Sequence, residues 1–113
     1  MLTSPNMLVR NIRTIAGSSL TTSYQNVGVV TTISGYKMCI VNATTTDVQV
    51  SDGSASDAFY VPAGSSISVG EGLSGSGRDM DTKASFMKGI QLQAKLPSGS
   101  AGTGTLVITV IGY

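Results

Sequence analysis

The chain has 113 residues, only 12% of them charged, and a formal net charge of +1. This length allows one domain with a hydrophobic core and leaves no room for a separate catalytic lobe. So small a net charge creates no field that would attract nucleic acid or an anionic membrane, and neither is expected as a partner. A surface with little charge suits a protein that lies against other protein.

The residue types that are missing argue against catalysis. The sequence has no histidine and one cysteine, which removes the usual general base, the Ser–His and Cys–His nucleophile pairs and the commonest zinc ligand. Asp52–Asp57 is similar in outline to a calcium loop but lacks its alternating ligands and closing glutamate. The two acids of Asp79–Asp81 lie in a glycine-rich stretch and are expected to be solvated. Glu71 and one of these aspartates could form the carboxylate pair of a glycosidase, but the chain has too few aromatic residues to hold a sugar. We therefore predict a non-enzyme without metal or cofactor.

The N-terminal part is predicted to hold an arm and a first strand, together residues 1–17. Met1–Asn6 is polar and contains a proline, which indicates an extended arm. Met7–Ile15 fits a strand with an irregularity. Arg10 and Arg13 are its clustered charges, and they fit either a solvated face or a contact with acidic groups of a neighbouring subunit.

The main domain is predicted to span 18–113, beginning with a turn and two strand segments. Leu20–Tyr24 and Val27–Ile33 are those segments, with an interruption at Gln25–Asn26. Gly28 marks a bulge or a close backbone approach.

Residues 38–69 alternate β-branched runs with turn signals and predict four short antiparallel strands. Lys37–Asn42 contains four apolar residues in succession, which predicts a central strand covered on both faces and a buried, inert Cys39 thiol. The next three strands are marked by Val48 and Val50, by Phe59 and Val61 before Pro62, and by Ile67 and Val69.

The last third combines a long loop with two clear strands. Gly70–Thr82 is glycine-rich and is interpreted either as a contact surface or as a flexible insertion. Lys83–Met87 is ambiguous and is compatible with one helical turn. Ile90–Leu96 alternates as a half-buried strand, and Leu106–Ile111 is apolar on both faces, which predicts cover on both sides.

Eight or nine short strands predict an all-β fold, a two-layer antiparallel sandwich of jelly-roll or Greek-key type. No signal peptide or long apolar run is recognisable, so we expect a soluble chain made in the cytoplasm. In that compartment the glycosylation sequon Asn42–Thr44 is a chance match.

Four stretches carry a resemblance to a known family. They are SYQNVG (23–28), IVNATTTDVQVSDG (40–53), FYVPAGSSISV (59–69) and SAGTGTLVITVIGY (100–113). Their order resembles small all-β virion proteins of tailed bacteriophages, in which a phrase like N-x-t-x-x-d-V-x-v-S-x-D-G, a y-V-P-A-G turn and a terminal G-T-v-x-v-x-x-i-g-Y strand recur. The resemblance covers roughly 18–113. Its motifs are turn formers, so no catalytic or ligand residue carries over.

The resemblance implies a structural role on the virion, first as a capsid decoration or cement protein that binds and stabilises the head exterior. The alternative is a head-fibre, neck or tail accessory module that binds a receptor or carbohydrate. The expected partners are the major capsid protein or other virion proteins, together with further copies of the chain, with a trimer as the expected oligomer. The candidate contact residues are Arg10, Arg13, Arg78 and Lys83.

Overall fold

A computed structural model of the chain describes residues 9–51, 58–70 and 89–112. These ranges contain eight β-strands and one short 3-10 helix, Gly17–Ser19. The strands are β1 (Val9–Ala16), β2 (Gln25–Asn26), β3 (Gly35–Thr44), β4 (Val48–Ser51), β5 (Ala58–Val61), β6 (Ser66–Gly70), β7 (Gln93–Lys95) and β8 (Gly104–Gly112).

The strands form two antiparallel sheets that pack face to face. Sheet A has the order β1-β8-β3-β6, and sheet B has the order β2-β7-β4-β5. The predicted all-β two-layer sandwich is therefore confirmed, while the choice between jelly-roll and Greek-key stays a prediction. The four strands expected between residues 38 and 69 are present as β3 to β6.

The core lies between the sheets and follows from the alternation of side chains along each strand. From sheet A it takes the fully buried side chains Met38, Ile40, Leu106, Ile108 and Val110; from the sheet B side it takes Val48, Val50, Val61, Leu92, Ala94 and Leu96. Burial of each larger side chain contributes about 1.5–3 kcal/mol. This interior drives the two sheets together.

The central strand β3 departs from its prediction on its outer side. Met38 and Ile40 are buried, as expected, but Val41 is 44% exposed. Cys39 is half-buried, with its Sγ 3.6 Å from the Ser68 hydroxyl oxygen, so the prediction of a buried thiol was wrong. Four apolar residues in succession indicated two covered faces, yet sheet B covers only one. β8 is similar, because Val107 and Ile111 on its outer side are only half-buried.

The prediction of two strands between Leu20 and Ile33 was wrong. The regular strand in this stretch is Gln25–Asn26, the dipeptide that was predicted to interrupt them. Before it, the Thr21 hydroxyl accepts the Ser23 amide at 3.1 Å and bends the chain. After it, the Val27 and Thr31 amides donate to the carbonyls of Leu92 and Ile90 at 2.8 and 2.9 Å. This irregular segment, residues 27–34, continues the edge of sheet B without a regular ladder.

Two further strands differ from prediction in detail. β1 pairs with β8 in unbroken register from Val9↔Gly112 to Ala16↔Thr105, so the predicted irregularity is absent from the described part of this strand. β7 is shorter than the expected strand over Ile90–Leu96, although the expected inward face of Leu92, Ala94 and Leu96 is confirmed. The predicted arm at Met1–Asn6, most of the loop 70–82 and the possible helical turn 83–87 lie outside the described residues.

A buried asparagine joins the two sheets at one end of β3. The Asn42 amide nitrogen donates to the carbonyls of Thr46 and Val61, both at 2.9 Å, and Val61 belongs to sheet B. Its carbonyl oxygen accepts the backbone amide of Thr44 at 3.0 Å and the Thr44 hydroxyl at 2.6 Å. Asn42 is fully buried, so its amide nitrogen is not accessible to a glycosylating enzyme in the folded protein.

We expect Asn42→Ala to lower the free energy of unfolding by about 3 kcal/mol, because it leaves buried backbone groups without partners. Thr46→Val is the matched control, since the buried Thr46 hydroxyl has no partner within the described structure. The control should change stability by less than about 0.5 kcal/mol. Urea denaturation measures both variants, and equal losses would contradict this role for Asn42.

The register of β8 depends on a glycine where the strand begins. Gly104 has φ +91°, and a Cβ there would lie 2.1 Å from the carbonyl oxygen of Ala43. Gly99 also has a positive φ, +86°, but a Cβ there would meet nothing within 4 Å.

Gly104→Ala and Gly99→Ala separate these two effects. Both should lose about 1–2 kcal/mol to the left-handed backbone, and only Gly104→Ala should lose appreciably more through the clash with β3. Thermal and urea unfolding give the comparison. Equal destabilisation would show that the close approach at Gly104 is unimportant.

Candidate protein interface

The outward-facing residues of sheet A form a continuous surface across four strands, the outer A face. The register places them in cross-strand rows, because the intervening residues point into the core. The three central rows are Arg10–Ile111–Lys37, Ile12–Thr109–Cys39–Ser68 and Thr14–Val107–Val41–Ser66. Ala16, Thr105 and Ala43 extend the face towards the start of β8.

The middle of the outer A face is apolar and accessible. Ile12 is 55% exposed and Val41 is 44% exposed, and the half-buried Val107 lies next to Val41 in the register. The remaining side chains of these two rows are small hydroxyl or thiol groups. Such side chains leave a flat surface that a partner can approach closely.

The charges on this face are both positive and lie in one row. Arg10 and Lys37 flank Ile111, one on β1 and the other on β3. Asp47 is the only carboxylate residue within residues 9–51, 58–70 and 89–112, and it lies beside sheet B. In the part of the chain that the structure describes, no acidic residue belongs to the outer A face.

The structure places two of the four predicted contact residues, and on opposite sides of β1. Arg10 lies on the outer A face and is exposed. Arg13 lies on the inner side of β1, where its Nε donates to the Val29 carbonyl at 2.8 Å and its Nη2 to the Val30 carbonyl at 3.0 Å. Arg78 and Lys83 lie outside the described residues.

The structure gives Arg13 a role within the chain, because it attaches segment 27–34 to β1. Asn11 assists by accepting the Thr32 amide at 2.7 Å. Gly28 has φ +67°, and a Cβ there would lie 2.6 Å from the Arg13 Cδ. The predicted close approach at Gly28 is therefore confirmed, and the group that approaches is the Arg13 side chain.

Ile12, Lys37 and Val41 were not among the predicted contact residues, although the sequence carries a signal for them. In a regular strand, Arg10 and Ile12 share one face while Arg13 points to the other. The assumed irregularity in the first strand concealed this separation. The assumption of cover on both faces of β3 concealed Lys37 and Val41 in the same way.

The outward side of sheet B, the outer B face, is polar, and its side chains bind one another. The register aligns Lys95, Gln49 and Tyr60 in one row. The Lys95 Nζ lies 5.0 Å from the centroid of the Tyr24 ring, a cation–π distance. In the next row the Gln93 amide donates to the Asn26 side chain at 3.2 Å. These contacts engage Lys95, Gln93 and Asn26 within the chain.

Asp47 links the end of this face to the turn after β5. Its Oδ2 accepts the Tyr60 hydroxyl at 2.5 Å, and its Oδ1 accepts the Ala63 amide at 2.9 Å. The bond from Tyr60, followed by that from Ala63, lowers the pKa of Asp47 below its ordinary value of 3.8. The same bond raises the pKa of Tyr60 above 10.0. Asp47 therefore stays ionised near neutral pH and is suited to hold the turn rather than to transfer protons.

Tyr60→Phe should raise the pKa of Asp47 towards 3.8, because it removes the largest cause of the shift. In the wild type the folded pKa lies below the unfolded value, so the stabilisation is present above the unfolded pKa. It is lost as the pH falls through the folded pKa. Carboxyl NMR titration measures the shift, and Tyr24→Phe is the control, since Tyr24 makes no bond to Asp47. An unchanged Asp47 pKa in Tyr60→Phe would contradict this assignment.

The described residues bring no three His, Cys, Asp or Glu side chains together as a metal site would need. None of the helical structure in the described ranges is long and apolar enough to cross a membrane. The chain matches no protein-family model, and it matches no curated protein.

Proposed function

We propose that this protein is a structural protein of a tailed-bacteriophage virion, a capsid decoration or cement protein that binds the head exterior and stabilises it. The observation that carries the proposal is the outer A face, where an apolar centre is exposed on the larger sheet. Burial of exposed apolar area is the main favourable term in protein association. The resemblance of the sequence to small all-β virion proteins supplies the setting, and the partner would be the major capsid protein or another virion protein.

The small area of the outer A face supports a role in which several copies bind many equivalent sites at once. Strand spacings of about 4.8 Å and rises of about 3.4 Å per residue give the outer A face about 500 Å². Stable complexes bury about 800 Å² on each partner, so one such face alone would bind weakly. A capsid offers many equivalent sites, and copies joined in a homo-oligomer would bind several of them at once with much higher avidity. We therefore include homo-oligomerisation in the proposal.

A receptor-binding or carbohydrate-binding module in a head fibre, neck or tail is the second candidate. Tyr60 favours it, because this side chain is 51% exposed on the outer B face and aromatic rings are common sugar contacts. However, the hydroxyl of Tyr60 donates to Asp47 and Lys95 lies over Tyr24. The hydroxyl proton of Tyr60 and the charge of Lys95 are thus already engaged within the chain, which favours the first candidate.

The double substitution Ile12→Ser and Val41→Ser tests the proposed function. Both side chains are exposed, so the fold should survive, while the affinity for heads that lack the protein should fall roughly 10-fold or more. Co-sedimentation with purified heads measures the bound fraction at each protein concentration.

Val29→Ser with Val30→Ser is the matched control, because these valines are 68% and 44% exposed but lie on segment 27–34. The control should bind as the wild type does. Failure of the wild type to bind heads, or equal binding by all three proteins, would refute the proposed use of the outer A face. Reproducible glycan binding that Tyr60→Ala abolishes would instead favour the second candidate.

A further inference from the structure

We propose that the outer A face binds an acidic protein surface of the virion, and that Arg10 and Lys37 fix its orientation there. This inference rests on the proposed function and adds the chemistry of the partner. The partner surface would be apolar opposite Ile12 and Val41, with carboxylates opposite the row Arg10–Ile111–Lys37. The register, the exposure and the charge of the described residues carry the argument.

The two cations are placed as a pair with a defined spacing. β1 and β3 are both neighbours of β8, so Arg10 and Lys37 are separated by two strand spacings, about 10 Å. Ile111 between them is half-buried and uncharged. Two carboxylates at a similar spacing on a partner would meet both cations while Ile111 remained in apolar contact.

The position of the pair at one end of the face gives the contact a direction. Arg10 and Lys37 lie in the row next to Gly112, where β8 ends, whereas the opposite end carries Ala16, Thr105 and Ala43. An apolar patch alone allows rotation of one partner over the other, since burial has no directional preference. Complementary charges at one edge select one orientation and accelerate encounter.

Within its described residues, a second copy of the chain offers few carboxylates that could face Arg10 and Lys37. Asp47 is the only carboxylate residue there, and its two oxygens accept the Tyr60 hydroxyl and the Ala63 amide. It also lies beside the outer B face, so a copy docking through its own outer A face would present Arg10 and Lys37 again. Charge complementarity therefore favours a different, acidic protein.

Single charge reversals test the proposal. Arg10→Glu and Lys37→Glu should each weaken binding to heads roughly five- to tenfold at low salt, because attraction becomes repulsion. Arg10→Lys should bind nearly as the wild type does. Lys95→Glu is the matched control, since it makes the same charge change on the outer B face and should leave binding unchanged.

Salt gives a second measurement. Wild-type binding should weaken as NaCl rises from about 0.05 to about 0.5 M. In Arg10→Glu with Lys37→Glu the weaker binding should instead strengthen with salt, because salt then screens a repulsion. Binding of the wild type to phosphatidylserine vesicles as strong as to heads would overturn the proposal, because a phosphate surface would then be the partner. Salt-independent binding to heads would overturn it as well.

Maleimide labelling of Cys39 distinguishes failure of this inference from failure of the proposed function. It is the single cysteine of the chain, half-buried in a central row of the outer A face, so a docked partner should protect it from maleimide. Protection on heads with unchanged binding by Arg10→Glu and Lys37→Glu would keep the docking face but refute an acidic partner. No binding of wild type to heads would refute both. Protection by self-association in the absence of heads would make a second copy the occupant and overturn the inference.

Discussion

The pairing of β3 with β8 is the interaction on which the rest of the structure depends. These strands are central in sheet A and pair from Gly35↔Gly112 to Thr44↔Gly104. Their register decides which side chains enter the core, because a shift by one residue would turn every side chain to the other face. At one end Gly104 lies close under the Ala43 carbonyl, and at the other a Cβ on Gly112 would lie 1.8 Å from the Ser34 carbonyl oxygen. At both ends of β8 the neighbouring backbone passes so closely that this register requires a residue without a Cβ.

Directional polar links supplement the apolar core at two separate places. Asn42 connects β3 to β5 through the Val61 carbonyl, so one side chain ties sheet A to sheet B. Arg13 and Asn11 connect β1 to segment 27–34, where no regular ladder satisfies the backbone. Apolar burial tolerates sliding of one sheet over the other, whereas these hydrogen bonds are satisfied in a single arrangement. They explain how a chain with few charges still specifies one packing of its two sheets.

The sequence predicted the features that depend on period and on turn chemistry, and it failed where tertiary contacts decide. Alternation at Val48 and Val50 identified the inward face of β4, and the turn at Pro62 separated β5 from β6. The same reasoning misplaced the strand near Gln25, because a valine-rich run was given strand character that its neighbours do not support. It also placed Cys39 in the core, since an apolar run does not reveal whether a second layer covers it. For the interface, Arg10 and Arg13 were given the same two interpretations, and the structure separates them. Arg10 is exposed and its contact with a partner stays a prediction, whereas the role of Arg13 required the position of the Val29 and Val30 carbonyls.

The two outward faces differ in how far their side chains are engaged within the chain, and this difference underlies the proposed binding side. On the outer B face, Tyr60 bonds to Asp47, Lys95 lies over Tyr24 and Gln93 bonds to Asn26, so several of its side chains are engaged within the chain. On the outer A face, Ile12 and Val41 are exposed to water, and the described residues provide no carboxylate for Arg10 or Lys37. Water can be displaced from the outer A face with a gain from apolar burial, whereas on the outer B face a partner would first have to break existing bonds. The alternation of side chains along sheet A thus accounts for both its core face and its outer face, because the residues between those that fill the core point away from sheet B. Within residues 9–51, 58–70 and 89–112, no second layer covers that outer face.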